Sequence, residues 1–182
     1  MLGLHRQRMS FEEWEALPEK PKVEWVDGEA VWSITPPSFD HGLAQPGLAI
    51  LLREAFPSLK AVTEVDLVLP HNRIRIPDVS LCERRPPDGR RIVEPPVLVA
   101  EIISPSTRGQ DFIVKSGEYA AAGIGHYWLL DPEGRTLLAL TLVDGEWQEV
   151  LSLDAEHPVG SVTVGDHGTV EVDLRQLLDY EA

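Results

Sequence analysis

With 182 residues the chain can build one domain with a substantial core, and it is too short for two large ones. A hydrophobic share of 43% and a charged share of 25% match an ordinary globular protein, and no apolar run approaches the roughly 20 residues of a membrane-spanning helix. The 16 basic residues against 30 acidic ones leave a net charge of −14, so bulk electrostatics oppose binding to a polyanion.

The opening "MLGLHRQRMS" has charge but no hydrophobic segment of the kind a secretory signal needs, which leads to the expectation of a cytoplasmic protein. In "SFEEWEAL" Ser10 can cap a helix while Glu13, three residues on, reaches back to it. "VEWVDGEAVW" reads as two strands joined at Asp27-Gly28, a favoured hairpin turn. "SFDHGLAQPGLAILLREAF" has helical spacing in Leu48, Leu51, Leu52 and Ala55, with Pro46 expected either to kink that helix or to mark its first turn.

Two strands follow, near "AVTEVDLVL" and "RIRIPDVSLC", on either side of a "PHN" turn; the second alternates Ile74 and Ile76 with Arg73 and Arg75. Cys82, the one cysteine, excludes an internal disulfide and reads as a buried strand thiol rather than a nucleophile. "ERRPPDGRRIVEPP" is a proline-rich loop, and "PPVLVAEIISPST" a strand apolar enough to be covered on both faces. "RGQDFIVKSGEYAAAG" is helical, stopped by Gly123. A strand "HYWLLD", a second Asp-Gly hairpin in "TLLALTLVDGEWQEVLSL", a short strand "TVEV" and a last helix "LRQLLDY" complete the chain. The class is α+β, one domain over 1–182 with its core at about 10–155 and the segment 160–182 packed on it.

Glu101 stands out, because an ionised carboxylate in so apolar a strand costs several kcal/mol unless a cation or hydrogen bonds compensate, roughly speaking. Asp78 follows Pro77 within the preceding strand, among apolar neighbours, and Lys115 lies on the following helix with Asp111 one turn before and Tyr119 one turn after. Two readings stay open: Glu101 and Lys115 form an ion pair that sets the helix on the sheet, or Asp78 and Glu101 share a hard cation such as Mg²⁺ beside the Lys115 amine. The arginines Arg73, Arg75, Arg84, Arg85, Arg90 and Arg91 form either a solvated stretch or a local phosphate-contacting edge.

The run "IPDVSLC … PPVLVAEIISPST … DFIVKSGEYAAAGIGHYWLLDP" resembles the Uma-type restriction endonuclease family, a branch of the PD-(D/E)xK restriction-endonuclease-like superfamily. The likeness extends from "VEWVDGEAV" to beyond "HYWLLDP". It implies a mixed sheet flanked by helices, hydrolysis of DNA phosphodiester bonds with Mg²⁺ or Mn²⁺, and a homo-oligomer. Asp78 matches the first metal-binding acid and Glu101 the second. The superfamily's lysine two residues after that acid is replaced by Ile103, and Lys115 is the matching residue on the next helix. Glu24 and His41 match positions near the cleft: Glu24 as a third acidic ligand or an exposed strand acid, His41 as a phosphate contact, a proton relay or a helix cap. Tyr119 is expected to pack under the site or bond to it, Asp111 to orient Lys115, and Trp128 to be core packing. Arg84, Arg85, Arg90 and Arg91 are the candidate phosphate-binding residues. The competing functional expectation is a nuclease fold kept as a binding or scaffold module with little or no catalysis; a weaker one is hydrolysis of another phosphate ester.

Overall fold

Residues 4–18, 21–103 and 110–179 are described by the computed structural model. The chain runs β1 (Leu4–Arg8), α1 (Phe11–Glu15), β2 (Glu24–Val26), β3 (Glu29–Ser33) and α2 (Phe39–Ala55). Then come β4 (Lys60–Thr63), β5 (Leu67–Leu69), β6 (Arg73–Arg75), β7 (Val79–Cys82) and β8 (Leu98–Ile102). A π-helical turn, Gln110–Lys115, leads into α3 (Ser116–Ala121), followed by β9 (His126–Asp131), β10 (Thr136–Val143) and β11 (Glu146–Leu153). β12 (Val159–Thr163), β13 (Thr169–Asp173) and α4 (Leu174–Leu178) complete the described residues.

One sheet has the order β1-β3-β2-β6-β5 and a larger one β11-β10-β9-β8-β7-β4; β12 and β13 form a third, two-stranded sheet. Pairing is antiparallel except between β8 and β9, which are parallel and joined through α3, as a parallel pair requires a crossover. β8 is buried on both faces. Leu98, Ala100 and Ile102 face a core shared with Leu48 and Leu52 of α2 and with Val170, Leu174 and Leu177 near the C-terminus. Val99 faces a second core with Tyr119, Tyr127 and Leu129. By the two-residue period of a strand, Glu101 belongs to the Val99 face, under α3. A third cluster of Trp14, Trp25, Ala30 and Ile74 packs α1 on the smaller sheet.

The capping box forms as expected: the Glu13 N–H donates to the Ser10 hydroxyl and the Ser10 N–H to the Glu13 carboxylate. Both Asp-Gly turns form with positive φ at Asp27, Gly28, Asp144 and Gly145. Gly123, at φ 74, follows α3 as its stop. Pro46 is not at the first turn of its helix; it sits inside α2, which Ser38 caps through the His41 N–H. The burial of Ala44, Leu48 and Leu52 on one stripe compensates the missing N–H. Two strands escaped the sequence reading, β1 and β12. β1 is an edge strand exposed over most of its length, so no apolar alternation marks it.

The hairpin read as two unbroken strands is instead bent into four. β5–β6 and β4–β7 keep one common register, yet the first pair joins the small sheet and the second pair the large one. The break has local causes. Pro77 brings no N–H to the ladder, and Glu64 adopts φ 55 so that its N–H reaches both the Pro77 and Asp78 carbonyls. Asp78 therefore sits at the corner where the chain passes from one sheet to the other.

Candidate active site

At that corner the register Val79↔Ala100 of β7 and β8, carried one step on, sets Asp78 across from Glu101. β7 has already bent away, and the Asp78 side chain takes over from its backbone: Oδ2 accepts the Ile102 N–H at 2.7 Å. Oδ1 lies 3.2 Å from Nε2 of His41, and the Asp78 carbonyl accepts from Gln45 Nε2 at 3.1 Å. Both partners come from the first turns of α2. His41 is thus a neighbour of the first acid, while its backbone serves the Ser38 cap.

Glu101 is 3% exposed, and its Oε1 accepts from Lys115 Nζ at 3.0 Å and from the Tyr119 hydroxyl at 2.6 Å. The ion pair foreseen as one alternative is therefore present. Burial, with the Glu101 charge beside it, holds the Tyr119 phenol well above its ordinary pKa, so it remains a donor. The π-helical turn delivers Lys115 at its last position, immediately before α3 supplies Tyr119. Asp111 lies in that turn, and its side chain is outside the described residues, as are Ser104 and Pro105 altogether.

Glu24 of β2 comes from the other sheet and is not an exposed hairpin acid. Its Oε1 accepts the Ile76 N–H at 3.2 Å and stands 3.6 Å from Lys115 Nζ; its Oε2 accepts from Arg75 at 2.8 Å. Burial pushes the Glu24 carboxyl up, but Lys115 and Arg75 outweigh it and hold the group below its ordinary value. Glu24, Asp78 and Lys115 line one cleft with Lys22, Glu64 and Trp32. Its volume of about 160 Å³ leaves room for several waters. Glu101 lies behind Lys115 rather than on the cleft wall.

Two residues were not assigned to this site from the sequence. Arg75, placed by its alternation among the solvent-facing or phosphate-contacting arginines, is 0% exposed. Its Nε and Nη2 donate to the two oxygens of Glu118 at 2.6 and 2.7 Å, a bidentate fork. Strand alternation failed here because β6 is covered on both sides, by the small sheet's own core and by α3. Glu118 lies three residues after Lys115, one turn along the same helix, and that spacing was the signal available. Arg73 pairs with Asp27 at 2.7 Å and stands 3.5 Å from Glu118.

The remaining arginines lie elsewhere. Arg84, Arg85 and Arg90 are exposed on the loop that links the far ends of β7 and β8. At about 3.3 Å per residue that loop begins roughly 16 Å from Asp78. Arg91 returns toward the small sheet, held by Glu15 at 2.9 Å and Asp66 at 3.1 Å and stacked over Trp14. Cys82 is buried, which pushes its thiol up to about 11, in keeping with a structural role. Trp128 is fully buried in the core.

Whether a divalent cation suits this set can be judged from its donors. Among the described residues no three His, Cys, Asp or Glu side chains converge closely enough to form a ready cage. Carboxylates instead share the cations: Glu24 and Glu101 flank Lys115, Glu24 and Glu118 flank Arg75, and Arg73 stands between Asp27 and Glu118. On the cleft itself Glu24 and Asp78 present hard carboxylate oxygens, the donor type that suits Mg²⁺, which one or two carboxylates hold while it keeps several waters.

No curated protein matches the chain. A crystal structure described as a "putative nuclease belonging to DUF820", from Anabaena variabilis, superposes with a TM-score of 0.71 at 19% identity, covering 94% of this chain and 98% of that one. Its likeness establishes the fold: mixed sheets with flanking helices in a single domain, of the restriction-endonuclease-like kind. The model of the Uma2 family, described as "Putative restriction endonuclease", matches residues 9–174, and the chain belongs to that family.

Proposed function

We infer that this protein hydrolyses phosphodiester bonds in DNA, with Asp78 and Glu101 holding a Mg²⁺ or Mn²⁺ ion and Lys115 serving the reacting phosphate. The observation that carries the reading is the corner itself, where two adjacent strands bring an aspartate and a buried glutamate opposite each other with a lysine on the glutamate. The bound cation would polarise the scissile phosphate and make a water more acidic.

The protein's own groups have distinct tasks. Asp78 is immobilised on both oxygens, by the Ile102 N–H and by His41, so its position does not change as charge develops in the cleft. Tyr119 keeps a donor on Glu101 when Lys115 turns toward substrate. The Lys115 ammonium can then donate to a phosphoryl oxygen as negative charge grows there, or align the attacking water. Glu24 is the third acid within reach, and its partners on the small sheet set how far Lys115 travels. Arg84, Arg85 and Arg90 would meet a backbone phosphate some five nucleotides from the scissile one, about 17 Å at 3.4 Å per nucleotide, close to the roughly 16 Å that separates Asp78 from the start of their loop. We further infer a homo-oligomer acting in the cytoplasm; among the described residues no helix is long and apolar enough to cross a membrane.

A second reading has one observation in its favour: Lys115 pairs with Glu101 at 3.0 Å, a contact that a binding or scaffold module would equally hold. Incubating supercoiled plasmid with the purified protein separates the two. Nicking or linearisation with Mg²⁺ or Mn²⁺, abolished by EDTA and by Asp78→Asn, supports the nuclease. Absence of both cleavage and calorimetric Mg²⁺ binding leaves the scaffold.

A further inference from the structure

We propose that the buried pair Arg75–Glu118, acting through Glu24, is the positioning device that holds Lys115 in the cleft. The inference rests on the nuclease reading for what Lys115 does, but the device is visible in distances alone. Arg75 is fully buried and spends three donors on two acids: a fork to Glu118 at 2.6 and 2.7 Å, and Nη1 to Glu24 Oε2 at 2.8 Å. The other oxygen of Glu24 is fixed by the Ile76 N–H at 3.2 Å and faces Lys115 Nζ at 3.6 Å. Lys115 in turn reaches Glu101 at 3.0 Å. The amine is thereby suspended between one acid from each sheet, at 3.6 Å and 3.0 Å.

This arrangement answers a mechanical problem that the sequence poses. A lysine on a helix must hold its amine at the strand site from a different element, and a four-carbon stem leaves many rotamers open. Glu118 sits on α3, three residues past Lys115, so the Arg75 fork pins the helix that carries the lysine to the smaller sheet. The same guanidinium orients the carboxylate facing that lysine. One arginine therefore sets both the base of the Lys115 side chain and a partner of its tip. Glu24, with its oxygens engaged by Arg75, Ile76 and Lys115, acts as a guide for the amine.

The test uses Glu118→Gln and Arg75→Lys in the full chain, with Glu24→Gln as the third variant should either buried substitution prevent folding. The Lys115 ammonium gives a ¹H–¹⁵N side-chain signal, identified by its loss in Lys115→Arg and recorded without DNA or metal. Its displacement or broadening in the folded variants is expected, together with a kcat for plasmid cleavage at least about tenfold lower and a KM for DNA within about twofold. A pair that merely supports folding would lower the melting temperature while leaving that signal and the kcat of the folded protein unchanged, and this result overturns the proposal. If wild-type protein cleaves nothing, the nuclease reading fails; the ammonium signal still decides whether Arg75 and Glu118 place Lys115.

Discussion

The two ends of the β7–β8 pair hold charge in opposite ways. At one end Asp78, Glu101, Lys115 and, beyond them, Arg75 and Glu118 are largely or wholly withdrawn from water, each with a partner at 2.6 to 3.2 Å. At the other end Arg84, Arg85 and Arg90 stand in solvent on a proline-rich loop. Both ends look similar in a list of charges. Physically they differ, because a buried charge is held in one geometry by its partners, whereas a solvated one is screened and mobile. Fixed charge can stabilise a developing transition state; solvated charge serves encounter and affinity.

That contrast can be broken at its catalytic end first. Asp78→Asn and Glu101→Ala are each expected to lower plasmid cleavage by about 10³-fold or more, since loss of a cation site removes both phosphate polarisation and water activation. Quantifying supercoiled, nicked and linear DNA against time is the check, and cleavage within tenfold of wild type in Asp78→Asn would remove the site from the corner.

The next effect is on stability. Glu118→Ala leaves the Arg75 guanidinium buried without its fork and is expected to cost about 3–5 kcal/mol, read from urea unfolding at pH 7. Replacing an exposed member of the opposite end, such as Arg84→Ala, should move the same midpoint by less than about 0.5 kcal/mol. Equal effects would mean that the two ends do not differ as described.

Affinity provides a third comparison. Substituting Arg84, Arg85 and Arg90 together by alanine should weaken DNA binding most at low salt. The slope of log K against log salt should fall by up to about three, one for each phosphate that no longer meets a guanidinium, with kcat unaltered. An unchanged slope would show that the loop touches no backbone.

The smallest effect is a pH dependence. The buried Cys82 thiol titrates at about 11 against an ordinary value of 9.0. Between those values an unfolded chain releases the proton that the folded chain retains, so this group's contribution to stability is constant below pH 9 and falls as pH rises from 9 toward 11. Comparing wild type with Cys82→Ala over that range isolates it; parallel curves would mean that the thiol titrates alike in both states.

Much of the secondary structure was legible because its signals are local. The Ser10–Glu13 capping box, the two Asp-Gly turns, the doubly covered β8 and the Gly123 stop each depend on residues within a few positions of one another. Glu101 and Asp78 were legible as oddities, acids in apolar strands, and Lys115 and Tyr119 through helical spacing. The bend at Glu64 and Pro77 was not, since a register that continues unchanged through both halves of a hairpin says nothing about which sheet each half joins.

The sequence by itself determined most of the strands and helices, that an acid sits inside apolar β8, and that a lysine follows on the next helix. Tertiary structure alone decided that Arg75 faces inward, that Glu24 crosses from the small sheet to meet Lys115, and that the arginine loop lies at the far end of β7. The reason is physical: propensity and spacing act along the chain, while the burial of a charge depends on which distant surface closes over it and whether that surface carries the opposite sign.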